Sequence, residues 1–127
     1  MHKLLLVDDD EFSAEIVQHS LRKYDLSITY VNNGVIASKI VQKESFDLII
    51  SDVMMPEMDG FTFLEGSMKH IGETPVIILT ALDKVNCLDQ LNRVTVSSYM
   101  VKPITKLNLM TRIAKALSLQ ELNLLPT

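Results

Sequence analysis

Cysteine is almost missing from this 127-residue sequence, in which Cys87 is the only one. A single cysteine forms no internal disulfide, which excludes the disulfide-stapled folds of small secreted proteins and favours a reducing compartment. Long apolar runs are missing as well. The first run, at positions 4–7, ends at Asp8 and is too short for a signal peptide or a membrane span. We therefore expect a cytoplasmic protein that has no membrane partner.

An excess of basic residues is also absent. The 12 Lys and Arg stand against 16 Asp and Glu, which gives a formal net charge of -4. A chain with this balance has no electrostatic reason to bind nucleic acid directly. The hydrophobic share of 47% and the charged share of 22% are typical of a globular protein. The length is that of one domain.

Short apolar runs alternate with segments of helical spacing along the whole chain. The runs that are typical of strands buried on both faces lie at 4–7, 48–50, 76–79 and 99–101, with an edge strand at 27–31. Segments with apolar residues three and four apart, as in helices, begin near Phe12, Ile36, Phe61, Val85 and Leu107. This alternation predicts an α/β fold, a three-layer α/β/α sandwich with a five-stranded parallel sheet and five helices.

Polar residues follow the predicted strands at the point where each strand ends. Asp8 and Asp9 follow the first strand, and Asp52, Thr80 and Lys102 lie at the ends of three others. In open parallel sheets, ligands bind at the carboxyl ends of the strands. We therefore expect these distant residues to meet in one crevice.

The electrostatics of that crevice predict its ligand. Two carboxylates about 4 Å apart repel by roughly 4 kcal/mol at an effective dielectric constant near 20, so three of them need a cation or must be protonated. A few carboxylates that leave room for water suit Mg2+ better than Ca2+. With the ammonium group of Lys102 and the hydroxyl of Thr80, such an ion could hold a tetrahedral dianion. A phosphoryl group is the implied ligand.

Four motifs occur along the chain in the order that is typical of a known family. They are LLLVDDD at 4–10, DLIISDVMMPEMDGF at 47–61, VIILTA at 76–81 and YMVKP at 99–103. The chain resembles the receiver domains of two-component response regulators, and the match runs over 3–119. The resemblance implies a flavodoxin-like sheet of strand order 2-1-3-4-5. It also implies a receiver domain over 1–119, followed at 120–127 by a tail or the start of a linker.

The resemblance implies a role for each acidic residue of the crevice. Asp52 matches the aspartate that accepts a phosphoryl group, in a Mg2+-dependent reaction, from a histidine kinase or a histidine phosphotransfer protein. Asp9 and Asp52 would bind Mg2+ directly, Asp8 would act through water, and the backbone carbonyl of Met54 would complete the protein ligands. No other cofactor is implied.

The resemblance further implies a conformational switch. Thr80 and Lys102 match the pair that binds the phosphoryl oxygens, and Tyr99 matches an aromatic residue that turns inward when Thr80 moves. The surface formed by the fourth helix, the last strand and the fifth helix would then change shape and signal to a downstream protein or output domain. A homodimer through this surface is left open. Apolar Met54 and Leu82 predict slow self-dephosphorylation, because neither positions a hydrolytic water.

Two other functions remain alternatives. A phosphatase of the haloacid dehalogenase type also uses a strand-end aspartate, Mg2+, a threonine and a lysine, but Phe12 breaks the nucleophile motif of that family, which would start at Asp8. A receiver that is never phosphorylated could act as an interaction platform. The leading expectation is a signalling domain that is no enzyme beyond assisting its own phosphorylation and dephosphorylation.

Overall fold

Apolar side chains alternate between the two faces of the central strands. The structure, a computed structural model, describes residues 1–53, 55, 57–81, 96–120 and 122–125. In strand β1, His2–Val7, the side chains of Leu4 and Leu6 enter one core and those of Leu5 and Val7 enter another. All four are buried. A strand that is apolar on both faces requires helices on both sides of its sheet.

Four more strands complete a parallel sheet. They are β2 (Leu26–Val31), β3 (Leu48–Asp52), β4 (Val76–Thr80) and β5 (Ser98–Val101). Every neighbouring pair is parallel, and the order across the sheet is β2-β1-β3-β4-β5. The strand order implied by the resemblance is therefore confirmed, and so is the edge position of β2.

Four helices lie in the described part of the chain: α1 (Glu11–Ser20), α2 (Gly34–Ile40), α3 (Gly60–Ile71) and α4 (Lys106–Ala116). Each begins behind a side chain that accepts a hydrogen bond from a main-chain N–H of the first turn. These N-caps are Asp10, Asn33, Asp59 and Thr105. The helix predicted near Val85 lies outside the described residues, and the last predicted helix is α4.

The helices cover the two faces of the sheet in pairs. Helices α1 and α4 share one core with Leu4 and Leu6, while α2 and α3 enclose the core that holds Leu5 and Val7. This confirms the predicted three-layer α/β/α architecture. Within the described ranges, no helix combines the length and the apolar content that crossing a bilayer requires.

The segment 122–125 lies against the body of the domain. Leu122 is buried in the core between α1 and α4. The main-chain N–H of Asp25 donates to the carbonyl of Asn123 at 2.6 Å, and the N–H of Leu125 donates to the carbonyl of Lys23 at 2.8 Å. These contacts lie before β2, away from the carboxyl ends of the strands. The crevice predicted at those ends is therefore not covered by this segment.

Candidate functional site

Three carboxylates meet at the carboxyl ends of the central strands. Asp8 directly follows β1, and Asp52 is the last residue of β3, the strand next to it. With Asp9 they form a cluster in which one carboxylate oxygen from each residue lies within 4.8 Å of the others. The parallel topology thus brings together residues that are more than forty positions apart in the chain.

The two oxygens of Asp52 have different surroundings. Oδ1 accepts a hydrogen bond of 2.7 Å from the N–H of Val53, which ties this oxygen to the backbone after β3. Oδ2 lies 3.1 Å from Nζ of Lys102. The residue is only 7% exposed. Asp52 is therefore a nearly buried carboxylate with one fixed oxygen and one oxygen that faces the charged cluster.

Asp8 is completely buried, at 0% exposure. Its Oδ1 accepts a hydrogen bond of 2.9 Å from the N–H of Asp10. Its Oδ2 is at an ion-pair distance of 3.1 Å from Nζ of Lys102, yet no donor among the described residues is directed at it for a hydrogen bond. The pKa of Asp8 is raised from 3.8 to about 6, first by burial and then by the charge of Asp52, and the Asp10 N–H and Lys102 offset only part of this.

Asp9 and Lys102 complete the charge distribution of the cluster. Asp9 is exposed, but the pKa of its carboxyl group is raised, first because the group is partly desolvated and then because the negative charge of Asp52 is close. Burial lowers the pKa of Lys102, and the neighbouring Asp52 and Asp8 more than reverse this, so the net direction is upward. Lys102 therefore stays charged at neutral pH. Among the described residues, the ammonium group of Lys102 pairs with Asp8 and Asp52 in a cluster of three carboxylates, which leaves this part of the site short of positive charge.

Thr80 and Tyr99 lie on the strands beside this cluster. Thr80 is the last residue of β4, is fully buried, and donates its hydroxyl to the carbonyl of Ala81 at 3.2 Å. Its own carbonyl accepts a bond of 2.7 Å from the N–H of Lys102. Tyr99 on β5 is 43% exposed, so its ring points outward. The carbonyl of Met54, which the resemblance implies as a ligand, lies outside the described residues.

Two residues near the cluster were missed in the sequence. The hydroxyl of Tyr30 on β2 donates to the main-chain carbonyl of Asp8 at 2.8 Å. Burial raises the pKa of this tyrosine and the nearby acids add to the effect, so the hydroxyl remains a donor. Gly60, the first residue of α3, packs so closely that a Cβ there would overlap the carbonyl oxygen of Asp52. The close packing at Gly60 could have been suspected from a glycine that directly follows the helix-capping Asp59. No feature of the sequence indicated the contact of Tyr30.

Comparisons with known proteins agree on one family. The family model described as response regulator receiver domain matches residues 4–114. A probable transcriptional regulator, ycf27 of Cyanidium caldarium, is 37% identical over 118 residues, which cover 91% of this chain and 46% of that protein. The chain thus spans less than half the length of such curated relatives.

Solved structures share the fold. A putative response regulator from Chloroflexus aurantiacus superimposes with a TM-score of 0.85 at 28% identity, covering 92% of this chain and 98% of that one. The receiver domain of the sensor histidine kinase PA1611 from Pseudomonas aeruginosa gives a TM-score of 0.84 at 21% identity, covering 92% of this chain and 98% of that one. That structure has a magnesium ion coordinated in its active site cleft.

Proposed function

We propose that this chain, which belongs to the family of response regulator receiver domains, is a phosphorylation-controlled signalling switch whose acceptor is Asp52. The observation that carries the proposal is the cluster of Asp8, Asp9 and Asp52, in which the ammonium group of Lys102 pairs with Asp8 and Asp52. A histidine kinase or a histidine phosphotransfer protein would supply the phosphoryl group. The chain would act as no enzyme beyond assisting its own phosphorylation and dephosphorylation.

The donor set fits Mg2+. All the side-chain donors are hard carboxylate oxygens, and the buried Oδ2 of Asp8 has no hydrogen-bond donor directed at it in the described part of the chain. Asp9 and Asp52 would bind the ion directly, Asp8 through water, and Met54 through its carbonyl. When bound, the ion would neutralise carboxylate charge and charge on the phosphoryl oxygens. The magnesium in the Pseudomonas aeruginosa receiver domain is consistent with this assignment.

Asp52 would act as the nucleophile. Its Oδ1 is tied to the N–H of Val53, so Oδ2, next to Lys102, is the oxygen that would form the new bond to phosphorus. As that bond forms, the bond between phosphorus and the imidazole nitrogen of the donor histidine breaks, and the imidazole leaves with the electron pair. Lys102 would then exchange its contact with Oδ2 for one with a phosphoryl oxygen. Catalysis of phosphoryl transfer depends chiefly on positioning the reacting oxygen and on neutralising the charge of the phosphoryl group.

Thr80 and Tyr99 would convert the new charge into a change of surface. The Thr80 hydroxyl donates a long hydrogen bond of 3.2 Å to the carbonyl of Ala81. A phosphoryl dianion is a stronger acceptor, so the hydroxyl would donate to it instead. Rotation of Thr80 toward the phosphoryl group would open space beside β4. Tyr99, which is 43% exposed, could then turn inward from β5. A downstream protein or output domain, or a second copy of the chain, would recognise the altered surface.

Incubation with acetyl phosphate, followed by intact-mass spectrometry, separates this proposal from its alternatives. We expect one phosphoryl adduct that requires Mg2+ and is absent from Asp52→Asn. Asp59→Asn is the matched control, because asparagine can still cap α3. Continuous release of phosphate without an adduct would support a phosphatase, and neither adduct nor turnover would support an unphosphorylated platform. Either result would contradict the proposed switch.

A further inference from the structure

The hydrogen bond between Tyr30 and the carbonyl of Asp8 joins the edge strand to the acidic turn. In the sheet register Tyr30 pairs with Leu6, two residues before Asp8. Strands advance about 3.3 Å per residue, so the donor must reach two residues along its neighbour. The long phenol does this and places its hydroxyl 2.8 Å from the Asp8 carbonyl. A serine or threonine at the same position would be too short.

This carbonyl belongs to the peptide unit that links Asp8 to Asp9. The side chain of Asp8 is already held by burial, by the Asp10 N–H and by Lys102. Asp9 is exposed, so the direction of its carboxylate depends more on the backbone that carries it. A hydrogen bond to the preceding carbonyl fixes the plane of that peptide unit, because the unit is rigid.

We propose that Tyr30 is a positioning residue that holds Asp9 in the direction needed to bind the divalent ion. This inference rests on the proposed metal-dependent function. Mg2+ demands near-octahedral geometry, so a ligand whose backbone can tilt binds it less well. Partners that orient ligands from outside the coordination shell affect metal affinity in the same way. Tyr30 needs no contact with the ion to have this effect.

The test compares two Tyr→Phe variants of the full chain. Tyr30→Phe removes the hydroxyl that bonds to Asp8, while Tyr24→Phe removes a hydroxyl that donates to the sulfur of Met110 at 3.3 Å. Isothermal titration with MgCl2 gives the affinity, and urea unfolding in EDTA gives the stability of the metal-free protein. We expect Tyr30→Phe to weaken Mg2+ binding about tenfold and Tyr24→Phe to leave it unchanged.

The outcomes separate a positioning role from a structural one. If Tyr30→Phe lowers the stability but binds Mg2+ as tightly as the unmodified chain, the hydroxyl is merely structural and the inference is wrong. If the unmodified chain binds no Mg2+, the proposed function fails and the inference fails with it. If the unmodified chain and Tyr30→Phe bind Mg2+ equally tightly, the inference about Tyr30 is wrong, but the proposed metal-dependent function stands.

A second measurement needs no variant. With carbon-13 at the ζ position of tyrosine, the chain gives one resonance from each of its 3 tyrosines. Titration with MgCl2 should shift the Tyr30 resonance and leave that of Tyr24 in place, because only Tyr30 bonds to the turn that carries Asp9. A Tyr30 resonance that stays unchanged at saturation would contradict the inference.

Discussion

Replacing Asp8 by asparagine should stabilise the metal-free protein at neutral pH. The side chain is fully buried and ionised next to Asp52, and its pKa is raised from 3.8 to about 6, chiefly by burial. A gap of about two pKa units corresponds to a penalty of about 3 kcal/mol for the charged form. This net penalty already includes the attraction to Lys102. Asparagine keeps the oxygen that accepts from the Asp10 N–H, but it also buries an amide NH2 group, which costs about 1 to 2 kcal/mol when it is poorly hydrogen-bonded. We therefore expect a net gain of about 1 to 2 kcal/mol.

The pH dependence gives the sign of the effect. Because the pKa of Asp8 is higher in the folded protein, its protonation stabilises the fold below pH 3.8, and this stabilisation is lost as the pH rises through about 6. Asparagine does not titrate, so the advantage of Asp8→Asn should shrink by about 1 kcal/mol between pH 7.5 and pH 5. Urea unfolding in EDTA, followed by circular dichroism, measures both quantities.

The comparison needs a variant that loses a carboxylate elsewhere in the chain. Asp59→Asn removes a carboxylate from the cap of α3 and controls for the loss of one negative charge from the chain. The reasoning would be refuted if Asp8→Asn were no more stable than the unmodified protein near neutral pH, or if its advantage grew toward acid. The same variant should lose most of the stabilisation that Mg2+ gives the unmodified protein, since the site would have one carboxylate fewer.

Three substitutions and one lifetime measurement test other parts of the account. Glu57 has a φ of 67°, so Glu57→Gly should raise the free energy of unfolding by about 1 kcal/mol in urea, and a loss of stability would contradict this. Gly60→Ala should destabilise the fold by about 1 to 3 kcal/mol because its Cβ has no room, while Gly66→Ala, in open space within α3, should stabilise it by about 0.5 to 1 kcal/mol. Equal changes in the free energy of unfolding for the two variants would contradict the close packing at the start of α3. Met54 and Leu82 predict a phosphoryl group that persists far beyond seconds, which timed mass spectrometry after removal of the donor would check.

The fold was largely predictable because its strands are apolar on both faces. The runs at 48–50 and 76–79 correspond to β3 and β4, and strand ends that carry Asp52 and Thr80 indicated the crevice. The strand order itself came from the family resemblance, since apolar periodicity does not distinguish one parallel order from another.

Details of the site depended on contacts that no local pattern encodes. Asp8 and Asp9 are adjacent acids, yet one is fully buried and the other exposed, because successive residues leave the end of a strand in different directions. The contact of Tyr30 depends on its register opposite Leu6 and on the length of its side chain. The packing of Leu122 was not foreseen because it lies in a short irregular segment whose partners are distant in sequence.

The central claim is that Asp52 receives the phosphoryl group in a metal-dependent pocket. Borohydride reduces an acyl phosphate to an alcohol, so treatment after incubation with acetyl phosphate and Mg2+ would convert a phosphorylated aspartate into homoserine, which peptide mass spectrometry can locate. We expect homoserine at position 52 alone, and none when EDTA replaces Mg2+. Homoserine at Asp9 or Asp59 in place of Asp52, or labelling that does not depend on the metal, would contradict the account.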